Sequence, residues 1–198
     1  YIKNKNKVAY WANEEPAAKI KLRIIQSYYK VTKQEMINDK SFINKKYIED
    51  IRPYLTVVDS VGSSVEELNQ YCKLSDPDIV FADQLDKFRV NGDFGRGDER
   101  LKEIYIKARE IAKRNGLLFW AVSQANYEAH NRMNIDYSMM DNSRTGKAGE
   151  ADVIIGIGKT GDVDDDNYMR YLNVSKNKIN GYHGMINANI DIHRGFYY

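Results

Sequence analysis

The order of apolar patterns along the 198 residues predicts an α/β domain with a mostly parallel core sheet and antiparallel closing strands. Three observations carry that expectation. Short apolar runs, such as Val8–Ala12 and Ile79–Asp83, alternate with stretches of helical period, as parallel strands joined by helical crossovers require. One long amphipathic segment, Glu99–Asn115, separates two of these runs. Beyond it, three more strand-like runs follow with hairpin-like connections.

Taken in order, Val8–Ala12 reads as a strand, and Pro16 sits well as an early helical residue before Ile20, Leu22, Ile24 and Ile25. A second helical segment near Asn44–Ile51 stops at Pro53. Leu55–Asp59 is a strand, and Ser64–Leu74 a helix with Ser at its start and Glu66 and Glu67 in its first turn. Ile79–Asp83 is a strand. Glu99–Asn115 places Leu101, Ile104, Ala108, Ile111 and Ala112 on one side and stops at Asn115-Gly116. Leu117–Ser123 is an almost continuous apolar run, the pattern of a strand covered on both faces. Residues 126–150 read as irregular, and Val153–Ile157, Tyr168–Val174 and Gly184–Ile192 as closing strands, with Gly181 and Gly184 serving a hairpin turn.

Composition bounds the class. With 42% apolar and 29% charged residues the chain is too apolar for disorder and too charged for a membrane span, and one domain is expected. The one cysteine, Cys72, excludes a disulfide within the chain and fits a cytoplasmic setting. Net charge is only +2, but residues 1–50 hold 11 basic and 6 acidic side chains, which reads as a solvated lysine face.

In open α/β sheets ligands bind beyond the carboxyl ends of the strands, so polar residues there come first. The strands end in Asn13-Glu14-Glu15-Pro16, in Asp83-Gln84-Leu85-Asp86 and in Ser123-Gln124-Ala125-Asn126. An acid emerging directly from Ile79-Val80-Phe81-Ala82 needs a partner, either a capped turn or a magnesium-bound water. A carboxylate, a metal-orienting Asp and a neutral amide at three strand ends could together activate a water and sense a terminal phosphate.

These segments resemble the RecA-like ATPase core of DnaB-type hexameric replicative helicases, especially phage forms, from about Val8 to Phe196. The resemblance implies a RecA-like three-layer sandwich and a motor that couples ATP hydrolysis between subunits to translocation on single-stranded DNA and duplex unwinding. It assigns Glu14 to polarising the attacking water, and reads Ile79–Asp83 as the Walker B strand with Asp83 on Mg2+. Gln124 would link nucleotide state to DNA-binding loops. Lys176 and Lys178, in Ser175-Lys176-Asn177-Lys178-Ile179-Asn180-Gly181, would reach the neighbouring subunit's nucleotide, with Lys178 where the family has an arginine finger. Lysine lacks Arg's planar two-pronged contact, so that stabilisation would be weaker. The segments 88–98 and 126–150 would face a central channel, with Arg96, Arg132, Arg144 and Lys147 as DNA contacts. Because 126–150 holds three basic against four acidic residues, DNA contact is expected to require the ring.

The expected cofactors are ATP and Mg2+, and the expected partners single-stranded DNA, a homo-hexameric ring and a primase or helicase loader. The expected setting is the cytoplasm, that of the host if the chain is phage-encoded. No Walker A segment is present: Gly158-Lys159-Thr160 imitates its end, but Val153 stands where its first Gly belongs. In the resembled family the P-loop precedes the strand near Val8, so the chain reads as a fragment lacking its first strand and P-loop, inactive alone. Two alternatives share these features, a RecA- or KaiC-type recombinase or regulatory ATPase and a non-catalytic RecA-like scaffold.

Overall fold

The computed structural model describes residues 1–140, 144–160 and 168–198, without the side chains of Arg144 and Thr145. Among these residues the strands are β1 (Val8–Ala12), β2 (Leu55–Asp59), β3 (Ile79–Asp83), β4 (Leu118–Ala121), β5 (Val153–Gly158), β6 (Met169–Asn177), β7 (Gly184–Asp191) and β8 (Phe196–Tyr197). The helices are α1 (Ala17–Tyr29), α2 (Lys33–Asn38), α3 (Lys40–Lys46), α4 (Val65–Ser75), α5 (Gly97–Asn115) and α6 (Arg144–Glu150). A single π turn, Tyr47–Ile51, continues α3. The first four strands form a parallel sheet in the order β2-β1-β3-β4, and the last four an antiparallel sheet in sequence order.

Strand alternation sorts side chains into the layers of a three-layer sandwich. Ala9, Trp11, Val80 and Ala82 face α4 and α5, where Val65, Leu68, Cys72, Ile104 and Ala108 complete the larger core. Burial pushes the Cys72 thiol up to about 11, as expected of a packing residue rather than a nucleophile. Val8, Tyr10, Ile79 and Phe81 face the other way, against Ile24, Ile25, Tyr28 and Ile51. On that face Tyr10, Phe81 and Trp120 stack across three strands, at ring separations of 5.9 and 6.1 Å.

Helix α4 starts where the sequence places it. Ser64 Oγ accepts from the Glu67 backbone N–H at 3.1 Å, and the Glu67 carboxylate accepts from the Ser64 N–H at 2.7 Å. Ser64→Ala removes this cap, with an expected loss of about 1 kcal/mol, read as an earlier midpoint in urea unfolding.

Two expectations are corrected. The run 117–123 is not a strand covered on both faces: β4 is an edge of its sheet, and Leu118 and Val122 are 45% and 42% exposed. The segment 126–150 is not wholly irregular, because it holds 3₁₀ turns at Tyr127–Ala129 and Tyr137–Met139 and the helix α6. No described helix is long and apolar enough to cross a membrane.

Candidate active site

Parallel strands end at one rim, and hydrogen bonds stitch that rim together. The Asn13 N–H donates to the Asp83 carbonyl at 2.5 Å, Ser60 N–H to the Ala12 carbonyl at 2.9 Å, and Val122 N–H to the Ala82 carbonyl at 3.0 Å. The exits of β1, β2, β3 and β4 are therefore held in fixed relation, and the residues just beyond them occupy one edge of the fold.

The two adjacent glutamates part company there. Glu15 turns onto α1, where Lys19 donates at 2.7 Å and Arg23 pairs at 2.6 Å. The Lys19 hydrogen bond, with Arg23 behind it, holds the Glu15 carboxyl below its usual range. Glu14 stays on the rim, its Oε2 accepting from Gln84 Nε2 at 2.5 Å and its Oε1 lying 3.4 Å from the Lys87 ammonium. Glu14 remains exposed, as a group that meets a substrate must be.

Asp83, at the end of β3, accepts the Tyr10 hydroxyl at 2.7 Å. Burial first, and then Asp83 itself, raise the Tyr10 phenol well above its usual range, so it stays a donor. The Asp83–Gln84 peptide bond is cis. Gln84 bonds Glu14 while its neighbour Asp83 presents a carboxylate, and the two acids predicted from sequence sit on adjacent strand ends. Gln124 follows β4 off the same rim and is exposed.

Behind Gln124 lies a buried polar cluster. Asp86 accepts from the Tyr105 hydroxyl at 2.7 Å, the Ser123 hydroxyl at 3.0 Å and the Lys147 ammonium at 2.6 Å. Lys147 also donates to Ser123 Oγ at 3.1 Å. This corrects the reading of Lys147 as a DNA contact: its side chain is 0% exposed, and its ammonium is spent on Asp86 rather than held out to a phosphate.

The remaining residues are spread more widely. Arg96 precedes α5 with its side chain 72% exposed and paired to Asp98 at 2.9 Å. Arg132 is exposed in the loop after β4. The Arg144 side chain lies outside the described residues. Lys176 and Lys178 do share a target, the end of α6: Lys176 Nζ donates to the Ala148 carbonyl, and Lys178 Nζ to the Gly149 carbonyl at 3.3 Å. Burial, then the Lys178 charge, pull the Lys176 ammonium below its usual range. Gly158 is the last residue of β5 and begins no helix, so Gly158-Lys159-Thr160 lacks the helix amino terminus a P-loop needs. A side chain at Gly156 or Gly158 would strike the carbonyls of Ile135 or Met133, because the loop after β4 crosses β5 there.

The donor set fits a hydrated magnesium ion better than a protein-caged metal. No described group of three or more His, Cys, Asp or Glu could hold a metal, whereas magnesium is commonly held through one carboxylate, waters and substrate phosphates. Asp83 supplies that carboxylate. The buried Asn13 Nδ2 and Ser60 Oγ at the same strand ends lack hydrogen-bond partners, spare polar capacity of the kind a hydrated phosphate would complete.

Sequence reasoning missed Tyr10, Gln84, Lys87 and the Asp86 cluster. The signal for Lys147 was its place between Gly146 and Ala148, residues small enough to let a helix approach its neighbour closely.

The parallel sheet, the flanking helices and the antiparallel closing strands define the RecA-like α/β class, in the form taken by DnaB-type ATPase domains. The structure is similar to a solved ATPase domain of a DnaB-like helicase, with a TM-score of 0.82 and 15% identity over 98% of this chain and 74% of that one. It is equally similar, at TM-score 0.82 and 16% identity, to a DnaB-like replicative helicase studied for its interactions with primase, spanning 98% of this chain and 52% of that one. No family model and no curated protein matches the sequence.

Proposed function

We propose that the chain is the motor domain of a DnaB-type replicative helicase that couples ATP hydrolysis at subunit interfaces to translocation on single-stranded DNA and duplex unwinding. The observation that carries this reading is the pairing, on adjacent ends of a RecA-like sheet, of an exposed Glu14 aimed by Gln84 and an Asp83 anchored by Tyr10. Glu14 would take the proton of the attacking water, and Gln124 would register the terminal phosphate. Asp83 would hold Mg2+, whose charge offsets that of the phosphates when ATP is bound.

Lys178, exposed and on a 3.3 Å bond, would exchange the α6 carbonyl for the nucleotide of the next subunit in a homo-hexameric ring, with Lys176 beside it. Arg96, Arg132 and Arg144 would follow the DNA backbone in the channel of that ring. A primase or a helicase loader is the protein partner this reading implies. We further assign the phosphate cradle to a P-loop encoded before Tyr1, its strand joining the open edge of β4, where Leu118 and Val122 stand exposed. The isolated chain is then expected to bind nucleotide poorly.

The test is ATP turnover and forked-duplex unwinding by the full-length protein, with Asp83→Asn beside it. We expect DNA-stimulated turnover that requires Mg2+ and is lost in Asp83→Asn. A full-length protein that neither hydrolyses ATP nor unwinds DNA would leave the scaffold reading.

A further inference from the structure

The loop after β4 is closed at its base. Asn126 N–H donates to the Met139 carbonyl at 2.7 Å, and Ala125 bridges Met140, so residues 126–139 form an excursion with a narrow neck. The outgoing limb of that neck begins at Ser123-Gln124, and the returning limb leads into α6, which carries Lys147. The Lys147 ammonium joins the two limbs, at 3.1 Å from Ser123 Oγ, and fastens both to Asp86 at 2.6 Å.

Asp86 stands two residues from Gln84, the residue that holds Glu14 at 2.5 Å, with the fully buried Leu85 between them. A continuous set of contacts therefore runs from Glu14 through Gln84 and Asp86 to the neck of the loop. Tyr105 closes the cluster from α5, its phenol donating to Asp86 and its ring 5.7 Å from the Lys147 ammonium. A fully buried lysine with a satisfied carboxylate is a costly device for stability alone, since an apolar pair of equal size packs as well or better. What the charged pair adds is a fixed geometry among three segments far apart in sequence.

We propose that Lys147 is a positioning residue that locks the neck of the 126–139 loop to the residues holding Glu14, so that whatever fills the loop and whatever fills the rim are energetically coupled. This rests on the reading above, in which the rim takes ATP and the loop takes single-stranded DNA. The coupling is reciprocal, so each ligand's affinity carries the signature of the other.

The test compares Lys147→Met, Lys147→Arg and the double variant Asp86→Asn/Lys147→Met in the full-length protein. Two quantities are read: hydrogen exchange at the Asn126 amide, which reports the neck directly, and the stimulation factor, turnover with a single-stranded oligonucleotide divided by turnover without. We expect Lys147→Met to speed Asn126 exchange about tenfold beyond any change at α5 core amides, and to cut the stimulation factor about tenfold. Lys147→Arg should restore part of both. The double variant should regain thermal stability without regaining the stimulation factor, a separation that a merely structural role would not produce. Exchange that rises equally at Asn126 and in α5, or a stimulation factor that follows stability in all three variants, overturns the proposal. If the wild-type protein turns over no ATP, the motor reading falls while Asn126 exchange still decides whether Lys147 locks the neck.

Discussion

Glu14→Gln in the full-length protein is expected to lower ATP turnover by ~10²–10⁴-fold while leaving nucleotide binding in place. The substitution keeps the size of the side chain and its place between Gln84 and Lys87, so the rim stays built, but an amide cannot accept the proton of an attacking water. Its neighbour is the internal control. Glu15 is tied to Lys19 and Arg23 on α1, away from the Gln84 contact, so Glu15→Gln should leave turnover within about twofold. Steady-state turnover and nucleotide binding, measured on both variants, check the pair. Equal losses from both would remove Glu14 from its assigned role.

Phe88→Ala is expected to cost about 3–5 kcal/mol of folding stability, read as a fall in the denaturant midpoint with an unchanged slope. Phe88 is 0% exposed, packs near Trp11 with ring centroids 6.0 Å apart, and donates its backbone N–H to the Leu85 carbonyl at 3.0 Å. Truncation leaves a cavity in the layer between the parallel sheet and helices α4 and α5. Domains of this size have total stabilities of roughly 5–15 kcal/mol, so the loss is a large share of the whole. Phe88 also ends the short segment that carries Gln84, Asp86 and Lys87, so loosening it should free the side chains that aim Glu14. A midpoint shift of less than about 1 kcal/mol would mean that this segment is held by its polar contacts instead.

Much of the fold was legible because the signals were local. The strands at Val8–Ala12, Leu55–Asp59 and Ile79–Asp83 have the bounds read from their apolar runs, and α4 begins at the Ser64 cap. The errors arose where distant residues decide. An apolar run at 117–123 records an environment suited to a covered strand, and only the sheet order reveals that β4 is an edge. Helix α2 escapes detection by period although Thr32 and Glu35 form a capping box, because it spans only Lys33–Asn38 and has no buried residue. Helix α6 contains two glycines in seven residues and would not form by propensity; it is fixed by packing against α5 and by Lys147 reaching Asp86.

The site divides along the same line. Glu14, Asp83 and Gln124 were readable because a polar residue directly after an apolar run stands out. What Lys147 contacts was not, because its partner lies 61 residues away and a lysine in an apparently irregular, glycine-bearing segment reads as surface. Tyr10 was hidden for a related reason. It looks like one more aromatic in a strand until the parallel register sets it across from Phe81 and within reach of Asp83.

Central to this mechanism is one claim, that the carboxyl ends of β1, β3 and β4 bound a single phosphate-sized space. The direct measurement is an experimental structure of the full-length protein with Mg2+ and a non-hydrolysable ATP analogue. The expected result places the terminal phosphate between Glu14 and Gln124 with the metal on the Asp83 side. A terminal phosphate seated away from that rim, or a metal held without Asp83, would contradict it.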